Sequence, residues 1–172
     1  MIVFRNDDIF LTKSVRSGQI YNFKKFKESH ELLKGRIHIL SIIASEIDNY
    51  PEMKDYILAN KKDFRFGIHG NRHENYSTWN EIDIYNDLKL AKNIIDKTFE
   101  TNTKWFFPPW NRISNNMINA CNKLQLKINK NYIIPTQFLL GVRGDVLNFH
   151  YWNNDEMKKL IKCLDIIKNN NL

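Results

Sequence analysis

The sequence predicts an α/β fold: a single-domain, distorted and incomplete (β/α) barrel, with parallel strands inside and helices outside. Three observations lead there. The apolar period switches repeatedly between two and about 3.6 residues along the chain. Strand-like and helix-like segments alternate, which is the pattern of a mostly parallel sheet. The 172 residues also fall short of the roughly 250 that a full eight-unit barrel takes.

The elements follow in order. "MIVFRNDDI" (1–9) reads as a strand that ends in acidic residues. "YNFKKFKESHELLKG" (21–35) reads as a helix, with Phe23, Phe26, His30 and Leu33 on one face and Gly35 as its stop. "RIHILSII" (36–43) is a second strand. "YPEMKDYILANKK" (50–62) is a short helix with Pro51 in its first turn, and "FRFGI" (64–68) is the next strand. A longer helix is expected from Thr78, where T-W-N-E forms a capping box to Glu81. Its Ile84, Leu88, Ala91 and Ile95 make one apolar stripe. "TKWFF" (103–107) is a strand halted by Pro108 and Pro109. "SNNMINACNKL" (114–124) is a helix, "QLKIN" (125–129) a weak strand and "VLNFHYW" (146–152) a clear one. The tail "NNDEMKKLIKCLDIIK" (153–168) is an amphipathic helix whose start, Asn154, Asp155 and Glu156, suits the helix dipole. No repeat, linker or low-complexity stretch interrupts residues 1–172, so one domain is expected.

Composition narrows the class. Hydrophobic residues at 42% and charged residues at 26% fit a soluble globular chain. The net charge of +7 comes from lysines spread along the sequence. Without a basic stripe interleaved with aromatics, it argues against a nucleic-acid partner. Cys121 and Cys163 match neither a disulfide framework nor a CxxC metal motif and read as core residues. The N-terminus lacks a signal-peptide h-region, and no apolar run approaches the roughly 20 residues of a membrane span. A cytoplasmic protein with no membrane span is the expectation; the oligomeric state is not encoded legibly.

Four predicted strand ends carry chemically pointed residues, and in parallel α/β folds strand ends are where sites form. The first supplies Asp7 and Asp8, the third His69 and His73. A later strand supplies the rigid Pro108–Pro109–Trp110–Asn111–Arg112 run, and the last supplies His150. His69 and His73 have a spacing that would share a helix face, but Gly67, Gly70 and Asn71 around them argue for a loop leaving a strand. Each feature alone is unremarkable; Asp7 and Asp8, for example, could simply cap a turn. Together, two imidazoles and a carboxylate make a divalent-metal site with open positions. His69, His73 and Asp8 are the expected ligands. A cation there lowers the pKa of water to about 7. A second carboxylate could accept the water's proton, and a histidine across the site could protonate a leaving amine.

These residues resemble the motifs of the NodB-like polysaccharide deacetylases, carbohydrate esterase family 4. R-N-D-D at 5–8 is similar to the family's T-F-D-D, which implies that Asp7 is the base and Asp8 a metal ligand. H-G-N-R-H at 69–73 resembles H-S/T-x-x-H, the source of both metal-binding histidines. F-P-P-W at 107–110 resembles R-P-P-Y, implying that the Trp110 backbone N–H helps hold the oxyanion. L-N-F-H at 147–150 resembles L-x-x-H, implying that His150 is the general acid. The ordered set runs from residue 5 to residue 150. It departs from the family at three points. Gly70 replaces the Ser/Thr that supports the metal loop. Phe107 replaces an arginine that orients the base, leaving Arg5 or Arg112 to approach from another side. The aspartate that tunes the acid histidine has only Asp145 as a candidate.

The resemblance implies a metal-dependent hydrolase, with Zn²⁺ the expected ion, that removes an N-acyl group, N-acetyl first, from an amino sugar or glycan precursor. Surface-polysaccharide biosynthesis would be the setting. Asn111 and Arg112 are candidate hydrogen-bonding contacts to that substrate, and Trp110 and Trp152 candidate stacking rings. Trp105, Phe106 and Phe107 read as barrel packing, and His30 and His38 as core-edge or surface residues. The alternative is a catalytically degenerate relative that binds carbohydrate without hydrolysing it, a reading favoured by Gly70 and Phe107. A non-haem iron oxygenase would also use two histidines and a carboxylate, but the alternating β/α pattern argues against it.

Overall fold

The computed structural model describes residues 2–14, 18–129 and 131–170. Six parallel strands form one curled sheet: β1 (Val3–Ile9), β4 (His38–Ile42), β5 (Phe64–Ile68), β6 (Trp105–Phe106), β7 (Lys127–Ile128) and β8 (Val146–Phe149). Their spatial order is β7-β6-β5-β4-β1-β8. Beyond β8 a single bridge, Ile133 to Leu147, extends the sheet on the side facing away from β1. This is the expected incomplete barrel. A two-stranded antiparallel pair, β2 (Lys13–Ser14) and β3 (Gly18–Gln19), was not foreseen. The helices are α1 (Phe23–Leu32), α2 (Pro51–Ala59), α3 (Glu81–Phe99), α4 (Asn115–Lys123), α5 (Pro135–Leu139) and α6 (Asn154–Asn169).

Local chemistry sets the boundaries. Asn22 caps α1 by accepting from the Lys25 N–H at 3.0 Å, and Pro51 opens α2. The α3 start differs from expectation. Thr78 belongs to a 3₁₀ turn (Tyr76–Thr78) capped by Asn75, and the α3 cap is Asn80, which accepts from the Asp83 N–H at 2.9 Å. Glu81 turns instead to Lys123 and Asn119. The expected stripe Ile84, Leu88, Ala91 and Ile95 is fully buried, and Phe99 extends it. "TKWFF" keeps only Trp105 and Phe106 as strand, and "VLNFHYW" stops at Phe149. There the His150 and Tyr151 N–H groups leave the ladder and donate to Glu156 Oε2 (2.8 Å) and Asn6 Oδ1 (3.1 Å). The first strand starts at Val3, and Met1 lies outside the described residues. Cys121 and Cys163 are buried and free, as expected. No helix among the described residues is long and apolar enough to cross a membrane.

His30 and His38 correct the expectation of core-edge or surface positions, since each is 1% exposed. A face shared with Phe26 carries His30 inward, where its Nδ1 meets Tyr56 Oη at 2.8 Å and its Nε2 meets Asp63 at 3.3 Å. His38 opens β4 among Phe64, Phe149 and His30, and neither ring nitrogen has a hydrogen-bond partner. Burial, and secondarily the neighbouring His30, push its pKa down to about 3. A base whose folded pKa lies below its unfolded value of about 6.5 takes up its proton preferentially when unfolded. Its contribution to stability is complete above pH 6.5 and is lost as the pH falls toward 3. Unfolding in urea should show wild type losing about 2 kcal/mol more than His38→Leu between pH 6.5 and pH 5. Parallel pH profiles for the two proteins would reject this assignment.

Candidate active site

The C-terminal ends of β1, β5, β6 and β8 meet around a cleft of about 240 Å³, lined by Asp7, Asp8, His69, His73, Trp110, Asn111, Asn148, His150, Trp152 and Glu156. Two adjacent carboxylates cannot share one face of a regular strand, because side chains alternate. Here β1 carries a bulge: Asn6 pairs with Leu40 and Ile9 with Ile42, so β1 has one more residue than its partner. Asp8 takes the left-handed conformation (φ 61°), which Asp tolerates better than most residues. The bulge re-aims Asp8 so that both carboxylates line the cleft, the use to which such bulges are often put.

His69 and His73 lie on a loop rather than a helix, as expected. Backbone bonds pin that loop: the His69 N–H donates to Ile42 O at 2.7 Å, and the Ala44 and Ser45 N–H groups donate to Gly70 O and Asn71 O. The Phe107 carbonyl can only accept, so His69 donates to it from Nδ1 at 2.6 Å. In the neutral ring Nε2 is then the lone-pair nitrogen, and it faces Asp8 Oδ1 at 3.3 Å. His73 Nε2 faces the same oxygen at 3.4 Å. Asp8 Oδ1 is buried without a hydrogen-bond partner. Lone pairs converging on a carboxylate oxygen need a positive charge between them, and the three ligand atoms lie within 4.8 Å of one another. The donor set fits a divalent cation. Burial tends to raise the Asp8 carboxyl, but the imidazoles that surround it, His69 first and then His150 and His73, hold it at about 2. Burial and His69 push His73 down to about 4, leaving it neutral and able to ligate.

Asp7 is paired with Arg5 at 2.8 Å, both side chains nearly or fully buried. Burial acts to raise the Asp7 carboxyl, and Arg5, assisted by His69 and His150, holds it below the ordinary carboxylate range. Across the cleft His150 donates from Nδ1 to Glu156 Oε2 at 2.9 Å, leaving Nε2 3.7 Å from Asp8 Oδ2. Burial alone would lower His150, but the Glu156 bond and the charges of Asp8, Glu156 and Asp7 raise it to about 9. Glu156 was seen in the sequence only as a helix-start residue. Asp145 precedes β8 while His150 follows it, so about 16 Å of strand lies between them; its carbonyl accepts from the Val3 N–H instead.

Gly70 has φ 106°, and a Cβ there would strike Arg72 O and the Tyr76 hydroxyl. A Ser or Thr cannot occupy this backbone. Tyr76 and Asp87 support the loop in its place. The Tyr76 hydroxyl accepts from the Asn71 N–H (3.1 Å) and donates to Asp87 Oδ2 (2.5 Å), and Asn71 Nδ2 donates to Asp87 Oδ1 (3.2 Å). Trp110 and Asn111 are both left-handed (φ 52° and 55°) after the two prolines, strain that is concentrated at functional sites. The Trp110 ring lies 4.5 Å from that of His73. Trp152, the other expected stacking ring, lines the cleft and donates its indole N–H to Asp8 Oδ2 at 3.2 Å. Asn111 lines the cleft; Arg112 is exposed and is not part of the lining.

No curated protein matches the sequence. Solved structures do match the fold. A CE4 family pseudoenzyme from Bacillus anthracis has a TM-score of 0.76 at 12% identity, covering 99% of this chain and 61% of that one. The family 4 carbohydrate esterase from Streptomyces lividans, in complex with acetate, has a TM-score of 0.75 at 9% identity, covering 98% and 88%. Peptidoglycan deacetylase PdaC from Bacillus subtilis has a TM-score of 0.72 at 14% identity, covering 99% and 84%. The chain spans only 61 to 63% of the Bacillus anthracis pseudoenzyme and its mutants. At these identities the likeness is one of fold. The polysaccharide deacetylase family model matches residues 39–128, just over half of the sequence and inclusive of His69, His73 and Trp110. Taken with the barrel and its motif order, that match makes the chain a member of the polysaccharide deacetylase family, the NodB-like deacetylases of carbohydrate esterase family 4.

Proposed function

We propose that this chain is a metal-dependent hydrolase that removes an N-acyl group, N-acetyl first, from an amino sugar or glycan precursor. One observation carries the reading: a single small cleft gathers a cation-fitting triad, a second carboxylate and a half-buried histidine. Asp8, His69 and His73 would hold the ion, with Zn²⁺ the first to test. When bound, such an ion polarises an acyl carbonyl and makes water acidic enough to attack at neutral pH. Asp7 accepts the proton of the attacking water through Oδ1, which has no partner. The Trp110 backbone N–H donates to the oxyanion as charge develops on it. His150, carrying its proton near neutral pH and held by Glu156, delivers that proton to the leaving amine. Asn111 provides a polar contact for the substrate.

The test pairs metal analysis with a screen of acylated amino sugars. Wild type should bind one divalent ion per chain and release acetate, while His69→Ala and His73→Ala should lose most of the ion, since few ligands remain. Unchanged stoichiometry in both variants would sink the ligand assignment. Bound metal with sugar affinity but no turnover would instead identify a non-hydrolytic carbohydrate binder.

A further inference from the structure

We propose that Arg5 is the positioning residue for the base Asp7, holding one carboxylate oxygen so that the other stays free to take a proton. This rests on the functional reading above. Residues two apart on a strand share a face, so β1 itself presents Arg5 and Asp7 to the same side. Arg5 is 0% exposed, and a buried guanidinium is held only where it is paired and hydrogen-bonded. Its Nη2 reaches Asp7 Oδ2 at 2.8 Å, and its Nε donates to Asn148 Oδ1 at 3.1 Å. Asn111 Oδ1 lies 3.5 Å from the same Nη2.

The rings of Phe107 and Tyr132 both pack against the guanidinium, with its carbon 4.9 and 4.7 Å from their centroids. The sequence makes room for this arrangement. A Cβ at Gly67 would collide with the Phe107 ring, so that glycine admits Phe107 and Phe107 backs Arg5. The result is a guanidinium packed against two rings and held by hydrogen bonds from Nε and Nη2, while its Nη1 is buried without a partner. It uses Asp7 Oδ2 and leaves Asp7 Oδ1 without a partner. A lysine, with a point charge on a flexible stem, could not serve Asn148 and Asp7 in one fixed plane.

Three variants and one spectrum test this. Arg5→Thr should lower kcat for amide hydrolysis by about 10²-fold, the cost of a misplaced catalytic group. KM should change by less than about threefold, and metal stoichiometry should hold, because uniform binding is untouched. Arg5→Thr/Phe107→Arg, which delivers a guanidinium from the position of the ring now stacked on Arg5, should regain at least about tenfold of that loss. Arg5→Lys should be intermediate and serves if the Thr variant fails to fold. Independently of turnover, the wild-type Arg5 Nη2–H groups should give resolved, slowly rotating NMR signals that vanish in Asp7→Ala, which removes the acceptor at 2.8 Å. A folded Arg5→Thr with kcat within threefold of wild type would overturn the proposal, as would signals that survive in Asp7→Ala or are absent from wild type. If wild type hydrolyses no acylated amino sugar, the functional reading fails on its own, and the NMR comparison alone decides whether Arg5 clamps Asp7.

Discussion

Asp7→Asn should eliminate amide hydrolysis while leaving a divalent ion bound at wild-type stoichiometry. Asparagine keeps the shape and can still accept from Arg5 but cannot take a proton from water. Removing a positioned general base costs about 10²- to 10⁴-fold. The neighbouring Asp8→Asn should fail differently. Asp8 Oδ1 is the point on which His69 and His73 converge at 3.3 and 3.4 Å, so losing its charge should strip the ion as well as the activity. Metal analysis of the two purified variants, beside single-turnover assays, separates base from ligand. Nearly full activity in Asp7→Asn would remove Asp7 from the mechanism. Some loss of stability is expected in that variant too, because Arg5 would then carry a buried charge without a counter-ion.

His150→Ala should retain the fold and the metal yet lose about 10²- to 10⁴-fold on an amide substrate, the range for a positioned general acid. An amine leaves poorly unless it is protonated, whereas an activated ester expels an anion that needs no proton. The same variant should therefore be hurt far less on the ester. Glu156 gives the prediction its structural footing: its carboxylate accepts both the His150 backbone N–H and the Nδ1 proton, so Nε2 is left to face the cleft. Equal losses on both substrates, or no loss on either, would reject the general-acid role.

Periodicity and punctuation sufficed for the architecture. The strand at 64–68, the start of the last strand at Val146, the α3 stripe from Ile84 to Ile95, and the barrel's shortfall from closure were all legible, because apolar spacing and chain length are local or global properties of the sequence alone. So was the meeting of Asp7, Asp8, His69, His73, Trp110 and His150, since a parallel sheet brings all its strand ends to one side; Asn148 and Glu156, which also line the cleft, were not. What the sequence could not disclose was direction and long-range pairing. Nothing local announces that Asp8 adopts a left-handed bulge, so whether two adjacent carboxylates face together or apart was open until β1 was paired with β4. The three departures from the family motifs were resolved in the same way. Tyr76 and Asp87 hold the loop where Gly70 excludes a Ser or Thr side chain, Arg5 reaches Asp7 where Phe107 stands, and Glu156 reaches His150 from the first turn of α6. Arg5 lies two residues from Asp7 and Glu156 six from His150, whereas Asp87 reaches the loop from α3, and none sits at the position of the motif residue it replaces. A charge or hydroxyl acts through the point in space it occupies. Linear motifs record which element carries such a group, and only tertiary packing decides from which element it arrives.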